Sequence, residues 1–376
     1  MTQAFASNLL GGMSPSEFLR LHWQRKPRLI RAAFPEFEDL LVPDDLIKLA
    51  CREDCRSRLV MKSGQRWDVR HGPFRSRELR GLPKGGWALL VQDVNLVLRS
   101  AHNLLMQFRF IPYARLDDLM ISLAPHGGGV GPHFDSYDVF LLQGRGQRRW
   151  QLSTQKDLAF AENAPLRNLK GFRKEQAHIA CPGDMLYLPP GVAHHGVAIG
   201  QCMTYSIGFR SPSFQELTSG FLTHMDDELR IEGLYRDPRL KATDSPAQLP
   251  AKMIKDALTR IAKLDTSRSR VVRFLGIYLT EPKPQVIFAP PATPLSRVKF
   301  AAALRLRGIE LDLRTQMLWF EDHLFINGEH VEIKNTARTN LIELANSRCL
   351  RRGIVVNAGT LDKLHDWYRA GYLLVN

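Results

Sequence analysis

The sequence predicts an α+β protein centred on an antiparallel β-sandwich or jelly roll, followed by a helical segment and a small winged-helix-like module. Three observations lead there. Between about residues 115 and 212, short apolar runs alternate with Gly, Pro and Asp turns, the pattern of sandwiches and jelly rolls. At Ser211-Pro212-Ser213 the character changes, and Phe214, Leu217, Phe221, Leu222 and Met225 form an apolar stripe at helical spacing. Beyond Pro282, Pro284, Pro290, Pro291 and Pro294 the chain mixes helix and strand around an Asn327-Gly328 pair, which suits a two-residue hairpin.

Taken in order, Ser14-Pro15-Ser16-Glu17 is a capping box with proline at the first helical position. The helix it starts carries Phe18, Leu19 and Trp23 inward and stops near Lys26-Pro27. Trp87 to Gln92 reads as a core strand. The sandwich strands are Leu119 to Leu123, Tyr137 to Leu142, Arg149 to Leu152, Met185 to Leu188 and Thr204 to Phe209. The helical segment holds a proline-bearing loop from Tyr235 to Pro250. The last module comprises Val298 to Leu306, Met317 to Ile326, Val331 to Ile333 and Leu361 to Leu374. Three consecutive domains are therefore expected, at 1–212, 213–290 and 291–376.

At 376 residues, 44% hydrophobic and 24% charged, the chain has an ordinary globular composition with room for two or three domains. No stretch reaches membrane-spanning length and no leader pattern opens the chain, so the expectation is a cytoplasmic protein with no membrane partner. Five cysteines without paired spacing fit reduced thiols; Cys51 and Cys55 read as sharing one helix face. The formal charge of +14 draws a protein toward nucleic acid or other anionic surfaces. Its densest run, Lys252 to Arg273, reads equally as a solvated helix face or as an RNA-facing patch. Residues 297–376 carry 12 Lys and Arg against 9 Asp and Glu, too even a balance for a DNA-reading helix.

The chemistry concentrates at His133-Phe134-Asp135 and, some sixty residues on, at Pro189-Pro190-Gly191-Val192-Ala193-His194. On an extended strand, H-x-D turns both side chains to one face. A histidine from a neighbouring strand completes two imidazoles and a carboxylate, the ligand set of non-haem Fe(II) oxygenases, which leaves positions open for cosubstrate and oxygen. The run Gly127-Gly128-Gly129-Val130-Gly131-Pro132 suits a backbone that approaches a ligand closely. The Pro-Pro-Gly corner can place a ligand histidine rigidly. Strand alternation cannot choose between His194 and His195. His126 reads as a loop histidine.

The segments Gly127 to Phe140, Gly183 to Gly191 and Tyr205 to Arg210 resemble the bacterial JmjC-type ribosomal oxygenases. Likeness extends to His22-Trp23-Gln24-Arg25-Lys26-Pro27 and to Leu89 to Asn95, and thins after about residue 225. The resemblance implies a JmjC double-stranded β-helix, a helical dimerisation segment and a C-terminal winged-helix-like domain, hence a homodimer. It implies Fe(II), with 2-oxoglutarate as cosubstrate, and hydroxylation of an arginine on a large-subunit ribosomal protein. The family's distal ligand follows Pro-Pro-Gly-x-x, which makes His133, Asp135 and His194 the catalytic metal ligands. Arg148 matches the arginine that grips the far carboxylate of 2-oxoglutarate, Ser122 a serine that adds a hydroxyl, and Arg149 is turned to the opposite face by alternation. Asp118 and Tyr137 are the substrate candidates, an anionic clamp and an aromatic wall for a guanidinium. The rivals are the same chemistry on a histidine of another ribosomal protein or on another target, a metal-binding cupin without catalysis, and a nucleic-acid-binding regulator. A basic enzyme acting on a basic ribosomal protein requires either acidic lining at the site or contact with ribosomal RNA.

Overall fold

The computed structural model describes residues 8–64, 66–162, 165–333 and 335–376. They form two compact units that interleave along the chain. One comprises residues up to Ser211, Pro282–Thr315 and Asn346–Asn376; the other comprises Pro212–Glu281 and Gln316–Ala345. The sequence suggested three consecutive domains, whereas the second unit is completed by a later stretch of chain.

The first unit is built on two antiparallel sheets. Its elements in chain order begin with α1 (Pro15–Leu21), β1 (Arg28–Ile30), α2 (Pro43–Ala50), β2 (Ser57–Ser63), β3 (Arg66–His71) and α3 (Ser76–Arg80). Next come β4 (Trp87–Val91), α4 (Arg99–Leu105), β5 (Leu116–Ala124), β6 (Val139–Gln143), β7 (Gln147–Ser153) and β8 (Gln176–Ala180). Then follow β9 (Met185–Leu188), β10 (Ala193–Ile199) and β11 (Cys202–Phe209). The large sheet runs β1-β9-β6-β11-β5-β4-β2-β3 and the small one β10-β7-β8.

Period-two alternation assigns each strand residue a face. Leu119, Ile121 and Leu123 of β5, Phe140 and Leu142 of β6, and Met203, Tyr205, Ile207 and Phe209 of β11 enter one core with Phe18, Leu46 and Leu104 from the helices. The opposite faces of β6 and β9 send Val139, Leu141, Leu186 and Leu188 against Trp150, Leu152 and Ala180 of the small sheet. The two sheets thus pack face to face as a jelly roll, and Met120, Ser122, Thr204 and Ser206 line the interior between them.

The remainder of the first unit holds α8 (Arg297–Arg307), α10 (Ala358–Arg369) and a three-stranded sheet, β16 (Cys349–Leu350), β12 (Ile309–Leu311) and β17 (Leu373–Val375). The second unit holds α5 (Phe214–Glu228), α6 (Ala251–Ile261), α7 (Arg268–Thr280), most of α9 (Asn335–Ser347), and the meander β13 (Met317–Phe320), β14 (His323–Ile326) and β15 (Glu329–Glu332). Asn327 (φ 49°) and Gly328 (φ 84°) make the expected hairpin turn between β14 and β15.

Several local expectations need correction. The capping box at Ser14 forms, but α1 ends at Leu21, so Trp23 packs from the following turn. Cys51 caps α2 and Cys55 lies beyond it, so the two thiols share no helix face; burial pushes the Cys55 thiol up to about 11. The stripe on α5 buries only Met225, and Phe214 is 89% exposed. In the basic run, Lys252 pairs with Asp256, Arg268 with Glu321, and Arg270 and Arg273 with Glu228. Those cations are partly spent on the chain's own carboxylates.

Candidate active site

His133 and His194 meet where two strands touch. His133 N–H donates to the His194 carbonyl (3.0 Å), and His194 N–H donates to that of His133 (2.7 Å), a single antiparallel bridge. Beyond it residues 134–138 bend, so β6 begins at Val139 rather than at Tyr137. The bend is pinned by Gly191 N–H, which donates to the Asp135 carbonyl (2.8 Å). The Pro-Pro-Gly corner therefore holds both halves of the cluster.

The glycine run serves the same bridge in a way the sequence did not suggest. A Cβ on Gly129 would lie 2.3 Å from the Gly196 carbonyl oxygen of β10, and one on Gly128 would lie 2.1 Å from the Trp87 carbonyl oxygen. The close approach is to neighbouring strands.

Both imidazoles are oriented by backbone. Nδ1 of His133 faces the Gly131 carbonyl at 3.0 Å, and Nδ1 of His194 faces that of Val192 at 3.0 Å. A carbonyl only accepts, so each Nδ1 carries the proton and each Nε2 presents a lone pair. One ligating atom from each of His133, Asp135 and His194 lies within 4.8 Å of the others, and His194 Nε2 stands 3.7 Å from Asp135 Oδ2. Burial, reinforced by His133, pulls the His194 pKa down to about 4, which keeps the imidazole neutral. Two imidazoles and one carboxylate on one side of a point fit a divalent iron. His195 turns the other way, with its ring against Phe172, and His126 accepts from Gly200 N–H on the exterior.

The cluster opens into a cavity of about 360 Å³ in the first unit, lined by His133, Asp135 and His194 together with Ser122, Arg148, Asp118 and Tyr137. All seven residues singled out in the sequence thus share one space. Arg148 is 4% exposed while Arg149 is exposed, as alternation on β7 requires. The Arg148 guanidinium donates from Nη2 to Cys202 Sγ at 3.5 Å, and its Nε has no partner among the described residues. A buried cation so sparsely paired fits a carboxylate ligand. Ser122 stands inside on β5, its hydroxyl 3.4 Å from the Thr204 carbonyl. Burial pushes Asp118 up to about 7, against the pull of Lys283, and Asp117 and Asp93 push the same way.

Sequence reasoning missed Arg58, Gln92, Met120 and Asn168, which line the same cavity. Asn168 donates its amide to the Val130 carbonyl at 2.8 Å, tying its loop to the glycine run. None of them belongs to a spaced motif; Arg58 and Met120 carry only the signal of a strand face, and Gln92 and Asn168 lie outside the strands.

Residues 103–217 match a JmjC domain and residues 261–373 a ROXA-like winged helix. The ribosomal protein uL16 3-hydroxylase of Escherichia coli is 34% identical over 320 residues, 84% of this chain and 85% of that protein. The chain belongs to the JmjC-type ribosomal oxygenases. Among solved members, the X-ray structure of E. coli YcfD superposes with a TM-score of 0.85 at 31% identity, covering 96% of this chain and 98% of that one. A second structure of that E. coli ribosomal oxygenase, in complex with cobalt and 2-oxoglutarate, gives 0.83 at 32% identity over 96% of this chain and 98% of that one. The winged-helix match begins inside the segment expected from the resemblance to be a helical dimerisation region, and spans parts of both compact units. Among the described residues no helix is long and apolar enough to cross a membrane.

Proposed function

We propose that this ribosomal oxygenase uses Fe(II) and 2-oxoglutarate to hydroxylate an arginine side chain of a large-subunit ribosomal protein, with uL16 the substrate to test first. One observation carries the reading: a two-histidine, one-carboxylate cluster and a sparsely paired buried arginine share one cavity. His133, Asp135 and His194 would hold the iron. When bound, the metal and cosubstrate supply an oxidant that inserts one atom of O2 into a C–H bond while 2-oxoglutarate becomes succinate and CO2.

The chain's own residues supply placement. The guanidinium of Arg148 and the hydroxyl of Ser122 would grip the far carboxylate of 2-oxoglutarate. Asp118 would accept from the substrate guanidinium, and Tyr137 would wall it. The Nδ1 bonds of the two histidines hold Nε2 toward the cavity, so no change of tautomer is needed on loading. An acidic residue within the cavity answers the difficulty of a basic enzyme acting on a basic protein, because local lining outweighs net charge. A homodimer belongs to the same reading, supported by the exposed apolar residues of α5 and α6. Contact with ribosomal RNA is a weaker part of it, since carboxylates already occupy several of the basic run's cations.

The test is mass spectrometry of uL16 fragments incubated with the purified chain, Fe(II), ascorbate and 2-oxoglutarate. The expected result is a one-oxygen gain on arginine that requires 2-oxoglutarate and is lost in His133→Ala with the fold intact by circular dichroism. A gain on histidine would keep the chemistry and change the target. Succinate without peptide oxidation would discard the ribosomal-fragment target. No product from iron-loaded protein would leave a metal-binding cupin.

A further inference from the structure

A charge cluster behind the cavity wall, buried at Asp93 and open to solvent at Asp117 and Arg56, joins residues far apart in sequence. Asp93, 3% exposed and in the left-handed region (φ 57°), accepts from Arg56 at 2.9 and 2.7 Å, from Gln285 at 2.8 Å and from Lys283. Lys283 Nζ also lies 2.9 Å from Asp117 Oδ1. Arg210 approaches Asp117 at 3.6 Å. Lys283 stands between Pro282 and Pro284; a following proline restricts it to extended backbone, and so limits where its ammonium can go. The side chain is 19% exposed. Burial opposes its charge, but Asp117, Asp93 and Asp118 prevail and hold its pKa above the ordinary lysine value.

The strand pairing explains why two adjacent acids serve one cluster. Along β5 and β11, Ile207 opposes Leu119 and Phe209 opposes Leu116, so Asp117 and Asp118 together face Gly208. Two residues against one is a β-bulge, a device that re-aims side chains beside active sites. Here Asp117 goes to Lys283 while Asp118 lines the cavity. Leu119 N–H, donating to Asn95 Oδ1 at 2.8 Å, fixes the far end of the bulge. A Cβ on Gly208 would come within 2.9 Å of Asp118 Oδ1, so glycine leaves room for that carboxylate.

Resting on the arginine-hydroxylase reading, we propose that Lys283 is a positioning and specificity residue: its ammonium neutralises Asp93 and Asp117 behind the bulge, so that Asp118 can face the cavity charged and select a cationic side chain. Without it, Asp93 would keep Arg56 and Asp117 only the more distant Arg210, and the loss of the ammonium's pull would favour the protonated form of Asp118. Tyr137 on the next loop and Arg58 on β2 also face this part of the cavity, yet neither pairs with Asp93 or Asp117 in the cluster described. Lys283 follows the helical region in sequence, so cavity charge is set by a segment outside the JmjC match.

The test compares wild type, Lys283→Met and Lys283→Arg, each with Fe(II) and 2-oxoglutarate. Binding is read under nitrogen by anisotropy of a labelled uL16 peptide carrying arginine, or citrulline at the same position; KM and kcat are read in air from pH 6 to 9. The expected result is about a tenfold loss of arginine-peptide affinity in Lys283→Met, the equivalent of one pKa unit. Citrulline-peptide affinity and the 2-oxoglutarate KM should hold, and Lys283→Arg should restore arginine binding. The rise of kcat/KM with pH, as Asp118 loses its proton, should move to higher pH in Lys283→Met. Equal loss on both peptides would reduce Lys283 to a structural tie, and no loss would overturn the proposal. A wild type that oxidises no arginine peptide sinks the underlying reading instead. The Asp118 carboxyl titration, followed by 13C NMR with Zn(II) in place of iron, then decides for Lys283 alone: an unchanged midpoint in Lys283→Met overturns it.

Discussion

Arg148 shows how a single residue can be kept ready for a ligand. Burying a cation costs several kcal/mol unless it is paired, and Arg148 is 4% exposed with a thiol as its only described acceptor. Cys202 is a weak acceptor and the Trp150 ring lies 5.6 Å from the guanidinium carbon, so no described carboxylate competes with an anionic ligand for this cation. Two consequences separate this role from mere packing. Added 2-oxoglutarate should raise the Tm of the iron-loaded wild type by mass action. Arg148→Met should lose that rise, increase the 2-oxoglutarate KM by about a hundredfold or more, and leave the ligand-free Tm equal or higher, because an apolar side chain replaces a buried charge. Differential scanning fluorimetry and succinate assays read both effects; a variant that keeps its 2-oxoglutarate response would remove Arg148 from the cosubstrate site.

At the scale of elements, what the sequence made legible follows from local geometry. Alternation along β7 separated Arg148 from Arg149, because a strand enforces period two wherever one face is core, whereas Ser122 was legible only through the family resemblance. The ligand pair was legible because H-x-D and Pro-Pro-Gly are short motifs. The bulge at Asp117-Asp118 was not, since it exists only through pairing with β11, and neither Lys283 nor Arg58 carries a spacing rule tying it to residues far along the chain. The glycine run was legible as close approach but not as approach to β10. That contact carries a prediction. In Gly129→Ala the new Cβ would meet a backbone oxygen at 2.3 Å, which cannot move without disturbing the His133–His194 bridge. Overpacking of this kind costs roughly 1–3 kcal/mol. The variant should therefore melt lower and bind Fe(II) more weakly, by calorimetry, than Gly127→Ala, whose Cβ meets nothing within 4 Å although its φ of 75° adds strain. Equal metal affinity in both variants would mean that the bridge does not depend on Gly129.

The chain as a whole presents more apolar surface than its own described residues cover. No residue of α6 is buried, and Ile254, Leu258 and Ile261, which share one helix face at i, i+4 and i+7, are 46%, 62% and 60% exposed. On α5, Phe214 is 89% and Leu222 54% exposed. A helix with one apolar and one charged face gains its stability from tertiary or quaternary burial rather than from propensity, at about 25 cal/mol per Å² removed from water. In the proposed homodimer, mutual burial between two copies would cover this face. The opposite face carries Lys252, Lys255 and Arg260, which would remain in solvent. Light scattering should therefore give twice the mass of one chain at micromolar concentration for the wild type, and the mass of one chain for Leu258→Glu/Ile261→Glu. The variant should keep the 2-oxoglutarate-induced rise in Tm, because the cavity is lined entirely from the first unit. A wild type that scatters as a monomer, or a double variant that still dimerises, would assign these residues another cover.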